Sequence, residues 1–140
     1  MVVALDLAFL ALLGWAWPRL PDAVASHFDG AGAPNAWVSK GAYVGLSLAI
    51  AALLNTVYVA LPRWIAQANA DLRARLLWFG AMALAFLLAI SLLVVRANQA
   101  TEVRLPGEIV WPLLGGYGLF VVVWLVGAVR GAALTRRRER

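Results

Sequence analysis

The stretch LLWFGAMALAFLLAISLLVVRA, residues 76–97, decides the fold of this chain. Its only charged side chain is Arg96, next to its end. An α-helix rises 1.5 Å per residue, so about 20 apolar residues cross the roughly 30 Å hydrocarbon core of a bilayer. Residues 76–97 are therefore predicted to form a membrane-spanning helix.

Three further runs have the same character, at residues 1–17, 41–61 and 110–131. The whole chain is 64% hydrophobic and 14% charged, with a mean hydropathy of +0.82, which is outside the range of soluble domains. The runs show no strict alternation of apolar and polar residues, which excludes barrel strands. We predict an all-α fold: a polytopic membrane protein with one membrane domain over residues 1–140, built as a bundle of four transmembrane helices.

The basic residues predict the orientation of these helices, because short cytoplasmic loops are rich in lysine and arginine. Eight arginines belong to the inner loop 62–75, the end of the last span and the tail 132–140: Arg63, Arg73, Arg75, Arg130, Arg136, Arg137, Arg138 and Arg140. Four basic residues belong to the opposite side: Arg19, Lys40, Arg96 and Arg104. Both termini are therefore expected in the cytoplasm, and the loops 18–40 and 98–109 outside.

The outer loop 18–40 is the one dense group of polar and turn-forming residues in the chain. Asp22 is placed to cap a short helical turn over residues 23–28. Residues 30–35, with two glycines and a proline, are predicted to reverse the chain. A compact, structured loop is expected, and any recognition function is expected to reside in it.

Within this loop, Phe28 and Trp37 are expected to bury its underside on the bundle. Lys40 is expected at the outer start of the second helix, with its stem extended toward water. We take the following residues as the candidate binding motif: Pro21, Asp22, His27, Phe28, Gly32, Pro34, Trp37 and Lys40.

The pattern Leu20-Pro21-Asp22, His27-Phe28, Gly32, Pro34, Trp37 and Ser39-Lys40 resembles a domain-of-unknown-function family that forms the N-terminal part of SdpI-type bacterial immunity proteins. The resemblance covers about residues 5–60. It implies a multi-pass protein of the bacterial cytoplasmic (inner) membrane with this loop outside. It also implies a non-enzymatic immunity or sensing function, in which the loop contacts an extracytoplasmic peptide or toxin.

A metal site in this loop is the alternative chemistry, since an imidazole with two carboxylates can hold Zn²⁺. The candidate ligands are His27, Asp22 and Asp29. Their spacing matches no established metal motif, and His27 is the only histidine of the chain. No catalytic triad or phosphate-binding glycine motif is present either. We therefore predict no enzyme, no cofactor and no metal.

Polar residues inside the spans are few, which argues against transport. Asp6 is interpreted as an interfacial residue, and Asn55 and Thr56 are expected to form hydrogen bonds across helices. The arginines at the C-terminus are expected to contact anionic membrane lipids, not nucleic acid.

A second function stays open beside immunity or sensing. The chain could be a structural or accessory subunit whose apolar spans pack against a larger membrane complex, and an oligomer is compatible with either function.

Overall fold

The computed structural model describes residues 1–64 and 70–138, with side chains as far as residue 130. It is mostly helical. The elements follow each other as α1 (Val2–Ala16), a 3₁₀ turn (Trp17–Arg19), β1 (Ala23–Phe28), β2 (Pro34–Ser39), α2 (Lys40–Asn55), a π-helical turn (Thr56–Ala60), α3 (Leu61–Trp64), α4 (Ala70–Gln99) and α5 (Gly107–Arg138).

Four helical segments in the described ranges are long and apolar enough to cross a membrane: Val2–Arg19, Lys40–Trp64, Ala70–Gln99 and Gly107–Arg130. The prediction of four apolar helices is confirmed, and a multi-pass membrane protein is indicated. Helix α4 begins at Ala70, so part of the predicted inner loop is helical. Residues 65–69 of that loop and the side chains of residues 131–140 lie outside the described part of the chain.

The chain forms two compact units, Met1–Gly107 and Glu108–Arg140. In the first unit, α1, α2 and α4 meet in a core of Phe9, Leu13, Ala51 and Leu84. The second unit is α5, in which the rings of Tyr117 and Phe120 stack with centroids 6.2 Å apart.

The two predicted cross-helix hydrogen bonds have different outcomes. Asn55 Nδ2 donates to Asp6 Oδ1 of α1 at 2.9 Å and to Ala51 O at 3.0 Å, so the prediction for Asn55 is confirmed. Thr56 Oγ1 instead donates to Ala52 O of its own helix at 2.8 Å, so the prediction for Thr56 is wrong. The hydroxyl of Thr56 finds its hydrogen-bond acceptor one turn back in its own helix, as serine and threonine hydroxyls often do inside apolar helices.

The loop between α1 and α2 is an antiparallel hairpin of β1 and β2. The helical turn predicted over residues 23–28 is therefore wrong, and the all-α prediction is wrong to that extent. Asp22 does not cap a helix; its carbonyl oxygen accepts from Lys40 N at 2.9 Å and closes the base of the hairpin. The strand is favoured over the helical turn because it buries Val24 and Ala25, both with 0% exposure, against the ends of the helices.

A second core lies under the hairpin and fixes it on the helix ends. Its buried members come from α1, the segment before β1, β1 itself, α2 and α4: Ala16, Leu20, Val24, Tyr43, Val94 and Val95. Phe28 and Val38 pack against this cluster from the two strands. The hairpin therefore covers the end of the first unit at which α1 and α4 finish and α2 begins.

Candidate functional site

The candidate site is the hairpin, and its register determines which backbone groups are free. Ala23 lies opposite Ser39, Val24 opposite Val38, and Ala25 opposite Trp37. Lys40 N donates to Asp22 O, and hydrogen-bonded pairs alternate with non-hydrogen-bonded pairs along an antiparallel ladder. The pair of Val24 and Val38 is then hydrogen-bonded. The pair of Ala25 and Trp37 is not, so the peptide groups of both residues point away from the hairpin.

On the β1 side, the outward groups of Ala25 are bound by one side chain. Asn98 Oδ1 accepts from Ala25 N at 2.7 Å, and Asn98 Nδ2 donates to Ala25 O at 3.0 Å. The same Nδ2 donates to Val94 O of its own helix at 2.9 Å. Both Asn98 and Ala25 are buried. The carboxamide of Asn98 therefore pairs with β1 as the peptide of a third strand would.

On the β2 side, the outward peptide groups of Trp37 have no hydrogen-bond partner among the described residues. The indole of Trp37 is 50% exposed, although the sequence predicted its burial on the bundle. Alternation explains the difference: Val38 faces the core, so its neighbour on the strand faces outward. This edge combines unpaired backbone with an exposed aromatic ring.

The turn at the tip of the hairpin is built on Asp29. Its Oδ1 accepts from Ala31 N and Ala33 N, both at 2.9 Å, and its backbone N–H donates to Ala33 O at 2.9 Å. A carboxylate that satisfies nearby backbone donors is a typical means of closing a turn. The chain thus reverses over Asp29–Ala33, close to the predicted 30–35, and Pro34 already belongs to β2.

The tip is also tied to the segment that follows α4. Gly32 O accepts from Leu105 N at 2.9 Å, and Ala31 O accepts from Arg104 Nε at 3.2 Å. Gly32 has a φ of +80°, and a Cβ built there would collide with Leu105 O. Both the backbone conformation and the close approach require glycine.

Lys40 begins α2 as predicted, and its ammonium group lies among three partners. Lys40 Nζ is 3.4 Å from Asp22 Oδ1, 3.5 Å from Leu20 O and 5.3 Å from the centroid of the Trp17 ring. The Asp22 carboxylate is fully exposed, so this pair contributes little to stability. Ser39 caps α2, since its Oγ accepts from Ala42 N at 3.2 Å.

The three candidate metal ligands are not brought together. Asp22 and Asp29 lie just before and just after β1, about 20 Å apart at the rise of a strand. His27 is exposed, and its Nδ1 is 3.1 Å from Ser26 Oγ. No group of three His, Cys, Asp or Glu residues suited to a metal ion occurs in residues 1–64 and 70–138. The remaining motif residues are distributed along the hairpin: Pro21 exposed before β1, and Phe28 and Pro34 half-buried beside the turn.

Sequence reasoning missed Asn98, Arg104 and Leu105, which hold the hairpin from outside the loop. The signal for Asn98 was an amide at the end of an apolar run, just before Gln99, where a polar side chain needs a partner. Nothing in one sequence identifies that partner, because Ala25 is 73 residues away and binds through its backbone.

A family model matches α1 from Leu5, the hairpin and α2 as far as Leu53, and it is described as "Domain of unknown function (DUF1648)". Residues 5–53 form a DUF1648 domain. The DUF1648 domain contains both strands and all eight residues of the predicted binding motif, from Pro21 to Lys40. Asn98, whose two hydrogen bonds to Ala25 clamp the β1 edge, lies outside this domain. No curated protein and no solved structure matches the chain significantly.

Proposed function

We propose that this chain is an SdpI-like small integral membrane protein that acts in immunity or sensing, without enzymatic activity. In this proposal the hairpin contacts an extracytoplasmic peptide or toxin. The observation that carries it is the β2 edge, where the outward peptide groups of Trp37 bond to none of the residues that the structure describes and its ring is half exposed.

Strand addition is the mode of recognition that such an edge supports. An extended peptide supplies the N–H and C=O groups that pair with an open strand, and side-chain contacts then give specificity. The exposed indole of Trp37 adds a large, rigid apolar surface beside these backbone groups. A peptide with an apolar or aromatic residue at the position that meets Trp37 is the expected ligand.

The charge distribution supports an external position for this edge. If consecutive spans cross the membrane in alternating directions, eight of the twelve lysines and arginines fall on the side opposite the hairpin, which favours that side for the cytoplasm. We therefore propose residence in the bacterial cytoplasmic membrane with both termini inside, so that the hairpin meets secreted molecules.

The test compares a strain that lacks this protein with strains that carry variants of Trp37. Cells without the protein are expected to become sensitive to peptides secreted by competing cells. Trp37→Ala removes the ring, and Trp37→Pro also removes the outward N–H, which does not bond within the hairpin. Protection is expected to fall with alanine and to fall further with proline.

Trp64→Ala is the matched control, because Trp64 is 85% exposed in α3 and far from the hairpin in sequence. Full protection by both Trp37 variants would contradict recognition at the β2 edge. An unchanged sensitivity of the strain without the protein would contradict the immunity function itself.

The accessory-subunit function is favoured by a different surface. Gly41, Gly45 and Ala49 form an exposed row on α2, and no atom from elsewhere in the described part of the chain lies within 4 Å of a Cβ built at either glycine. Rows of small residues four apart let a second helix approach closely in a membrane. Gly45→Leu is expected to abolish copurification with a larger membrane complex if this function is correct, and Trp37→Ala is expected to leave it intact.

A further inference from the structure

A groove of about 450 Å³ lies between α1 and α4, on the surface of the first unit. Its sides are Ala8, Ala11 and Leu12 from α1 and Leu88 and Leu92 from α4, and Trp15 and Arg96 close one end. It spans about 10 Å along the helices, from Ala8 to Trp15. That length covers most of one leaflet, half of a core of roughly 30 Å.

The two ends of this groove differ in polarity. Every lining residue is apolar except Arg96, which lies in the last turn of α4 at the hairpin end. Arg96 is exposed, and none of the ion pairs in the described ranges includes it. An arginine in this position lays its stem along the apolar surface and extends its guanidinium to the headgroup level. The groove is therefore apolar along its length and ends at a cation that forms no ion pair with a described residue.

A second cation accompanies Trp15 at the same end. The guanidinium of Arg19 lies 4.7 Å above the Trp15 ring centroid, and Arg19 Nη1 donates to Trp15 O at 2.6 Å. These contacts hold the indole that closes the groove and add positive charge beside it. An occupant with an anionic head and a hydrocarbon tail matches both features.

We propose that this groove binds one membrane phospholipid whose headgroup carries a net negative charge. The phosphate lies at Arg96, whose guanidinium can donate two parallel hydrogen bonds to it. One acyl chain lies in the groove between α1 and α4. The site is specific for the charge of the headgroup, which distinguishes it from the general lipid contact of any membrane helix.

Native mass spectrometry of the full chain in detergent micelles tests the proposal. The protein is equilibrated with equal amounts of phosphatidylglycerol and phosphatidylcholine, and the ratio of the two lipids retained is measured. The wild-type chain is expected to retain one phosphatidylglycerol in preference. Arg96→Gln is expected to lower that ratio about fivefold, the effect of one cation near the headgroups, and Arg96→Lys to preserve most of it.

Two matched controls separate the groove from general effects. Arg63→Gln removes the same charge from α3 and is expected to leave the ratio unchanged. Ala11→Phe fills the groove and is expected to abolish retention of the lipid. Ala52→Phe adds the same bulk on the exposed side of α2 and is expected to leave lipid retention unchanged. Equal retention of the two lipids by the wild-type chain, or the same loss in Arg63→Gln as in Arg96→Gln, would overturn the proposal.

Discussion

The two edges of the hairpin differ in what meets their outward peptide groups. On the β1 edge, Asn98 donates to and accepts from Ala25, and the pair is buried. On the β2 edge, the same kind of peptide group at Trp37 meets no described residue. Proteins usually protect sheet edges, because an unpaired edge recruits other strands. One edge here is closed by a side chain, and the other has no hydrogen-bond partner among the described residues.

The largest effect on stability is expected when the side chain of Asn98 is removed from the β1 edge. Asn98→Ala leaves the buried N–H and C=O of Ala25 without partners, and it is expected to lower the free energy of unfolding by about 3 kcal/mol. Thermal unfolding in detergent measures this loss, and hydrogen exchange at Ala25 shows whether the β1 edge has opened. Asn35→Ala on the exposed side of β2 is the control, and it is expected to change neither quantity. Equal effects of the two substitutions would mean that the clamp does not hold the edge.

The turn that joins the two edges gives a smaller effect. Gly32→Ala introduces a Cβ at a φ of +80° and against Leu105 O, and it is expected to cost about 2 kcal/mol of stability. Gly14→Ala in α1 is the matched control, because a Cβ built there has no described atom within 4 Å beyond its own turn of helix. The control is expected to be neutral or slightly stabilising. If Gly32→Ala behaved like Gly14→Ala, the contact between the hairpin tip and Leu105 would not restrain the β2 edge.

The smallest effect is expected from the two aspartates that flank β1. Asp29→Ala removes the acceptor of two backbone N–H groups in the turn and is expected to cost about 1 kcal/mol. Asp22→Ala removes only a fully exposed partner of Lys40, and no measurable change is expected. Denaturation curves of both variants in the same detergent make the comparison. A larger loss in Asp22→Ala would show that the base of the hairpin, not its tip, fixes the register.

The helices were predictable because hydrophobicity along the chain is a local property. Residues 76–97 indicate a spanning helix without knowledge of any other segment, and α4 contains all of them. The reversal at Asp29–Ala33 was also readable, since aspartate and glycine favour turns for local reasons.

The strands were not predictable in the same way. Asp22 before Ala23 is typical of a helix start, and the alanines of β1 do not favour a strand. A two-stranded hairpin is marginal by itself, so distant contacts decide its formation. Those contacts come from Val95 in the core and from Asn98 at the edge, and a single sequence does not connect either residue to β1.

The separation of 73 residues between Asn98 and Ala25 has a consequence for biosynthesis. A ribosome completes both strands well before it completes α4, so the newly inserted hairpin lacks its clamp during that interval. An isolated pair of strands has little stability, and ordering waits for the third span to enter the bilayer. The hairpin is therefore ordered only after α4 is complete, and a chain truncated after α3 would display an unstructured loop in its place.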